Sequence, residues 1–316
     1  MNPFAPLYDQ QNHGTAEEKH ATLPDFPRLI DVELTNACNF RCLMCPTGNH
    51  SMQRQTGFMD ERTMYGIIAE CAPYETAIRF VRWGEPTLHL QLVSFIRAAT
   101  EAGLLTHINT NGSKLTWDMA CDLVDAGLSS IKFSFQGVDQ KSYAEMRNID
   151  FFDGMIETIN TMLDARGDEH KLPFIAVSTS TTYETPEQIE AFRKRLGALV
   201  DHVSIGRTVF DYMDLKAVRL RPREKEMLER LSKLESVEKK HPDPCPQVWD
   251  SMSVNWDGSV SVCCNDFDNK AVVGRYPERS LKQLWMAPMF REYRERLIRK
   301  RYGGPLCSAC YSYQER

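Results

Sequence analysis

A strand-like run beginning at Ile30 opens into three cysteines, Cys38, Cys42 and Cys45, in a C-x3-C-x2-C spacing. Thiolates this close must share one metal centre or sit idle. Soft thiolate sets select zinc or iron-sulfur clusters. A structural zinc would want a fourth ligand, for which His50 is the near candidate. An iron-sulfur cluster normally takes four cysteines, so three on a cubane leave one iron open to another ligand.

A second constellation lies near the end of the chain. Between Cys245 and the pair Cys263-Cys264, an Asp257-Gly258 dipeptide flanked by alternating β-formers signals a hairpin that presents Cys263 near the segment carrying Cys245. Cys307 and Cys310 add a C-x2-C, which makes a site of four cysteines. Zinc suits such a set as well as a cluster does. Cys264 is left over beside Cys263, and either member of the pair can be the ligand. Cys71 ends a probable helix and Cys121 falls in an apolar helix stripe, so both read as small core residues.

Ten cysteines with no secretory leader argue for metal or redox chemistry, because the cytosol keeps thiols reduced. The N-terminus lacks a charged region followed by an apolar core, and no run approaches the roughly eighteen apolar residues of a membrane span. A cytoplasmic protein without membrane partners is expected. The 316 residues, 42% hydrophobic and 26% charged, suffice for one large domain and a small one. A net charge of −5 gives no general pull toward nucleic acid. The basic residues Arg291, Arg294, Arg296, Arg299, Lys300 and Arg301 alternate with Glu292 and Glu295 and read as a solvated helix face.

The elements that must position these residues alternate. Short apolar runs at 77–81, 105–109, 130–135, 174–179 and 202–205 are separated by amphipathic stretches near 89–103, 116–127, 151–166 and 186–198. Strands and helices at this spacing imply right-handed βαβ units and a parallel sheet. In parallel barrels chemistry sits at the C-terminal strand ends. The strand-end candidates are Gly84 and Glu85 in Trp83-Gly84-Glu85-Pro86, Asn111, Ser134, Gln136, Ser178 and Arg207. Gly-Glu-Pro and Asn-Gly are also ordinary turns. Residues 1–25 read as a tail or an arm lying over the core. The polar loop 48–59 can close over a site, with His50 or Arg54 touching substrate. Residues 213–244, rich in Arg, Lys and Glu around Leu228, Leu231 and Leu234, read as an exposed amphipathic connecting helix.

The cysteine loop after a first strand, with the later Gly-Glu motif, resembles the radical S-adenosylmethionine (SAM) superfamily. The resemblance implies a partial (β/α)6 barrel over 26–212 in an α/β fold, with the amino and carboxylate groups of SAM chelating the open iron. It places Gly84 and Glu85 at the SAM ammonium, Arg147 at the SAM carboxylate, and Asn111, Ser134, Gln136 and Ser178 in the SAM seat. Trp83 stands where relatives have a first glycine. Residues 245–316 resemble the auxiliary-cluster domain called SPASM, or twitch in its reduced form, a small α+β unit. This implies one auxiliary [4Fe-4S] cluster held by Cys245, Cys263, Cys307 and Cys310, beside the SAM-binding [4Fe-4S] cluster of Cys38, Cys42 and Cys45.

The loop around Cys45-Pro46-Thr47-Gly48 further resembles small superfamily members that act on sugars and aminocyclitols. The implied reaction is hydrogen abstraction from a carbinol carbon, served by a flavodoxin- or ferredoxin-type reductant. Two outcomes compete. Epimerisation requires a hydrogen donor, which Cys264 would be; dehydrogenation leaves a ketone, with the auxiliary cluster as electron acceptor. Modification of a ribosomal peptide is a third class.

Overall fold

The computed structural model describes residues 1–167, 171–210, 214–234, 239–240, 245, 247–304, 306–310 and 314–315. Two short helices, α1 (Ala5–Asn12) and α2 (Ala16–Ala21), lead into β1 (Leu29–Val32). There follow α3 (Glu61–Cys71), β2 (Ala77–Phe80), α4 (Leu92–Glu101), β3 (Thr106–Thr110), α5 (Trp117–Asp125) and β4 (Ser130–Ser134). Helices α6 (Gln140–Arg147) and α7 (Phe152–Arg166), β5 (Phe174–Thr181), α8 (Pro186–Gly197), β6 (His202–Arg207) and α9 (Pro222–Ser232) complete the larger part. β1 to β6 pair in order and in parallel, the six strands of the expected partial barrel.

Local chemistry explains the helix starts. Asp60 and Thr116 accept backbone N–H bonds as N-caps, and Thr185 with Gln188 forms a capping box ahead of Pro186. In α4, Leu92, Phe95, Ile96 and Ala99 are buried, the i, i+3, i+4, i+7 stripe that seats a helix on a sheet. The strands divide by parity. Ile30, Val32, Ile78, Phe80, Ile108, Ile131 and Phe133 belong to the main core under the helices. Asp31, Arg79, His107, Asn109, Lys132, Ser134 and Ser178 take the opposite parity and line the lumen.

The remainder contains β7 (Lys239–Lys240), α10 (Gln247–Asp250), β8 (Ser251–Val254), β9 (Ser259–Ser261), β10 (Val272–Arg275), α11 (Leu281–Trp285), α12 (Pro288–Ile298) and β11 (Gln314–Glu315). The Asp257-Gly258 turn joins β8 to β9 as expected, with Gly258 at φ 80°. The small domain does not keep a sheet of its own here: β8 pairs in parallel with β1, so the barrel sheet runs on into the β8–β9–β10 meander as nine strands. β7 and β11 form a separate antiparallel pair.

One alternative is decided and two expectations are corrected. Of the tail or arm read over residues 1–25, the arm is what forms: Phe4 is fully buried against Leu29 and Ala77, with Leu7, Tyr8 and Leu105 packed on them, so α1 plugs the N-terminal end of the barrel. The connecting segment is more than an exposed strut, because Leu228 and Leu231 of α9 are buried with Leu43 of the cysteine loop and Met146 of α6; residues 213, 235–238 and 241–244 of that segment lie outside the described residues. Arg294 leaves the solvated face assigned to it. It is fully buried, lies 4.2 Å from the Trp285 ring, and donates through Nε to the Val248 carbonyl at 2.9 Å. Its packing against apolar neighbours pulls its pKa down to about 10. Cys71 is in the core as expected, whereas Cys121 is only half-buried.

Candidate active site

The cysteine loop is held from several sides by backbone. Gly84 packs so tightly on it that a Cβ would sit 2.0 Å from the Thr35 carbonyl oxygen, and Glu85 N donates to the Ala37 carbonyl at 2.9 Å. Only glycine permits that approach. Leu43 N donates to the Met146 carbonyl at 3.0 Å, which ties the loop to α6.

The sulfurs receive donors. Cys38 Sγ accepts from Phe40 N at 3.4 Å and from Asn111 Nδ2 at 3.8 Å, and Cys42 Sγ accepts from Arg147 Nη1 at 3.5 Å. Burial pushes the Cys38 thiol up to about 12 and also raises Cys45, with the neighbouring Cys42 adding to both. Bare thiols in this setting hold their protons; displacing them takes a metal centre, and the N–H donors then point at thiolates. The residues therefore fit a cluster. His50 is exposed with a left-handed backbone at φ 57°. Among the described residues no three histidine, cysteine, aspartate or glutamate side chains converge on a point that one ion would occupy.

The strand-end candidates divide. Arg147 also donates to the Ser134 carbonyl, and Ser134 pairs in register with Ser178, so these three and the Cys42 sulfur form one corner. Glu85 is turned inward. Its Oε1 accepts from Thr87 N, Thr87 Oγ1 and Thr110 Oγ1 at 3.2, 2.7 and 2.8 Å, and its Oε2 accepts from Asn111 N at 2.7 Å. Burial raises its carboxyl pKa against the pull of these donors. Glu85 thus braces the β3 turn that aims Asn111 at Cys38. Gln136 stands apart, donating to Thr208 Oγ1 at 2.8 Å. Arg207 has the parity of Val203 and Ile205, which pack on the main core, and is exposed. Arg54 is committed to structure: its guanidinium forms a bidentate pair with buried Glu33, both bonds 2.7 Å, and its Nε donates to the Phe267 carbonyl at 2.6 Å.

The second centre is a cavity lined by Cys245, Cys263, Cys307 and Cys310, walled by Val248, Val262, Leu297 and other apolar groups. Burial pushes Cys245 up to about 12, with Cys310 and Cys307 close enough to add to it. Four thiols in an apolar cage fit a fully protein-ligated cluster. Cys264 is not among the lining residues; its thiol is hydrogen-bonded to that of Cys263, and the charges of Asp31, Arg82 and Arg79 also reach it.

Sequence reasoning missed Arg82 and the lumen charges. Arg82, at φ 126°, donates to the carbonyls of Cys263 and Asp266 and to Asn255 Oδ1 at 3.2, 3.0 and 2.9 Å. Beside it the Trp83 ring meets Phe267 edge-on at 5.5 Å. In the lumen Arg79 Nε donates to Asp31 Oδ1 at 2.7 Å, over the Tyr8 ring of the plug. The available signal was the charge itself: Asp31, Arg79 and Lys132 interrupt strands that otherwise read as buried, which marks their parity as lumen-facing.

A parallel barrel with a three-cysteine loop after its first strand, joined to a four-cysteine cage, defines a protein with two iron-sulfur centres. The model of the radical SAM superfamily matches residues 32–175, and that of the SPASM iron-sulfur cluster-binding domain matches 245–311. The chain thus carries a radical SAM domain and, toward its C-terminal end, a SPASM domain, which indicate SAM, a SAM-binding [4Fe-4S] cluster and an auxiliary iron-sulfur cluster as its cofactors. It is 26% identical over 222 residues to a probable GTP 3',8-cyclase of Saccharolobus islandicus, 67% of this chain and 68% of that one. It is 27% identical over 230 residues to the probable GTP 3',8-cyclase of Sulfurisphaera tokodaii, 69% and 70% of the two chains. Among solved structures it resembles BtrN in complex with AdoMet and 2-DOIA, with TM-score 0.58, 20% identity and 90% and 93% of the two chains covered. Streptococcus suis SuiB bound to precursor peptide SuiA gives TM-score 0.65 at 16% identity, covering 88% of this chain and 69% of that one. At these identities the structures share the fold. No helix among the described residues is long and apolar enough to cross a membrane.

Proposed function

We propose that the protein abstracts a hydrogen atom from a carbinol carbon of a sugar or aminocyclitol and returns one to the opposite face from the Cys264 thiol, an epimerisation. When bound, the SAM-binding cluster and SAM supply the 5'-deoxyadenosyl radical that takes the hydrogen. The observation that carries the reading is a difference between the adjacent cysteines: Cys263 lines the four-cysteine cage and Cys264 does not, while the charges of Asp31, Arg82 and Arg79 reach Cys264. A thiol hydrogen is held more weakly than a carbinol hydrogen, so transfer from Cys264 to the carbon radical runs downhill and leaves a thiyl. One electron from a flavodoxin- or ferredoxin-type reductant and one solvent proton restore it.

The lumen supports a hydroxylated substrate. Asp31 Oδ2 and Ser253 Oγ, on register partners of β1 and β8, are buried without hydrogen-bond partners among the described residues. Hydroxyl groups would satisfy both. In the seat of SAM, Arg147 would face the carboxylate while Glu85 holds Asn111 in place.

The curated relatives named as probable GTP 3',8-cyclases favour a second reading, radical attack on a purine nucleotide. Turnover in deuterated water separates the alternatives. An epimerase yields a product with one deuterium at the inverted carbon, and Cys264→Ala cleaves SAM without giving epimer. A ketone two mass units lighter, still formed by Cys264→Ala, would replace epimerisation by dehydrogenation, and conversion of GTP would replace both. If Cys264→Ala instead loses the auxiliary cluster, the donor role passes to Cys263.

A further inference from the structure

Lys132 is the lumen charge that nothing above explains. Arg79 is paired with Asp31, Arg54 with Glu33, Arg147 faces the Cys42 sulfur and Arg82 is spent on the loop of Cys263. Lys132 lies on β4 with the lumen parity, between Asn109 of β3 and Ala176 of β5 and two residues below Ser134. Among the described residues it makes no hydrogen bond and no ion pair. Its register neighbour Asn109 offers a second donor. Asn109 Oδ1 is 2.8 Å from His107 Nε2, while its Nδ2 has no partner among the described residues. The floor below is closed by α1 and is already balanced by the Arg79–Asp31 pair, so a ligand reaches Lys132 from the open strand ends where the SAM corner lies.

We propose that Lys132, with the Asn109 amide beside it, seats an anionic oxygen group of the substrate, a phosphate or a carboxylate, in the barrel lumen. The inference rests on the reading of this lumen as the substrate site and narrows it: an anionic sugar is favoured over a cationic aminocyclitol, which Lys132 and Arg79 would repel. A half-buried cation with no ion-pair partner is costly to keep charged, and an anion that arrives with the substrate supplies the missing partner. The groups that face Lys132 agree. Withdrawal from water and the Arg79 charge hold its pKa down at about 8, with Asp31 opposing, and His107 is itself held neutral by burial. A bound anion must therefore raise the Lys132 midpoint.

The test needs no turnover, so it stands or falls separately from the epimerase reading. Anaerobically reconstituted enzyme carrying 13C-lysine is titrated by NMR, with the Lys132 Cε signal assigned by its loss in Lys132→Met. Inorganic phosphate and glucuronate are the probes, and methyl glucoside is the neutral control. At saturation, phosphate, glucuronate or both should move the midpoint upward, and the responding probe identifies the anion class. Methyl glucoside should leave it in place. By calorimetry Lys132→Met should bind the responding probe at least ten-fold more weakly, and Lys132→Arg should restore binding. A midpoint that neither anion moves, or equal binding by Lys132→Met, overturns the proposal. Because Lys132→Met removes an unpaired cation, the variant is expected to fold. Anion binding without epimer would sink the epimerase reading alone.

Discussion

Arg82 Nη1 donates to the carbonyl of Cys263 at 3.2 Å, across 181 positions of sequence. The same guanidinium reaches Asn255 and Asp266, and two residues further on Gly84 lies against the cysteine loop. One side chain therefore fastens the strand end beside the SAM-binding centre to the loop that lines the auxiliary cage. The left-handed backbone at Arg82 is the strain this attachment sustains, at a cost of order 1–3 kcal/mol.

Arg82→Met leaves the Asp266 carbonyl without its donor and takes one of two donors from the Cys263 carbonyl, which still accepts from Asp266 N at 3.1 Å. Buried groups orphaned in this way cost about 1–3 kcal/mol each. The expected outcome is a lower urea midpoint for the reconstituted protein and faster release of iron from the auxiliary centre under chelator. Unchanged release would mean that the loop holds itself.

The two thiol sets should load independently, to about eight irons in all. Replacing Cys38, Cys42 and Cys45 together by Ala is expected to leave roughly half the iron and abolish 5'-deoxyadenosine formation. Replacing Cys307 and Cys310 should remove the other half. Stoichiometric zinc without iron uptake would refute the assignment.

Phe4 fills the end of the barrel against Leu29 and Ala77. Phe4→Ala should destabilise the protein by about 3–5 kcal/mol, the usual loss for a buried aromatic. Chemical denaturation checks this. A change within 0.5 kcal/mol or so, the range of ordinary surface substitutions, would mean that α1 is dispensable to the barrel.

Lys132 sets a pH dependence of known sign. Its pKa is about 8 in the folded chain and 10.5 ordinarily. Below about 8 both states hold the proton and the folded state carries the full penalty of the half-buried cation. From about 8 to 10.5 the unfolded chain binds more protons, so stability rises with pH; above that window the penalty is gone. Lys132→Met should thus be more stable than the parent at pH 7, with the gap closing by pH 10.5 in paired denaturation curves. A gap that does not vary with pH would contradict the assignment.

Much of the architecture was legible because its causes are local. The C-x3-C-x2-C spacing needs only one loop to bring three thiols together, and the βαβ alternation and the Asp257-Gly258 turn act within a few residues. These placed the barrel strands, their helices and the β8–β9 hairpin. Tertiary structure decided what depends on distant partners. It made residues 1–25 the barrel's plug, because Phe4 and Tyr8 find Leu29 and Arg79 only once the strands are assembled. It joined β8 to β1, buried Arg294 beneath Trp285, and committed Arg54 to Glu33. It also distinguished two neighbours that the sequence could not tell apart: Cys263 lines the cage and Cys264, hydrogen-bonded to it, does not, a difference made by which surfaces the folded chain brings together.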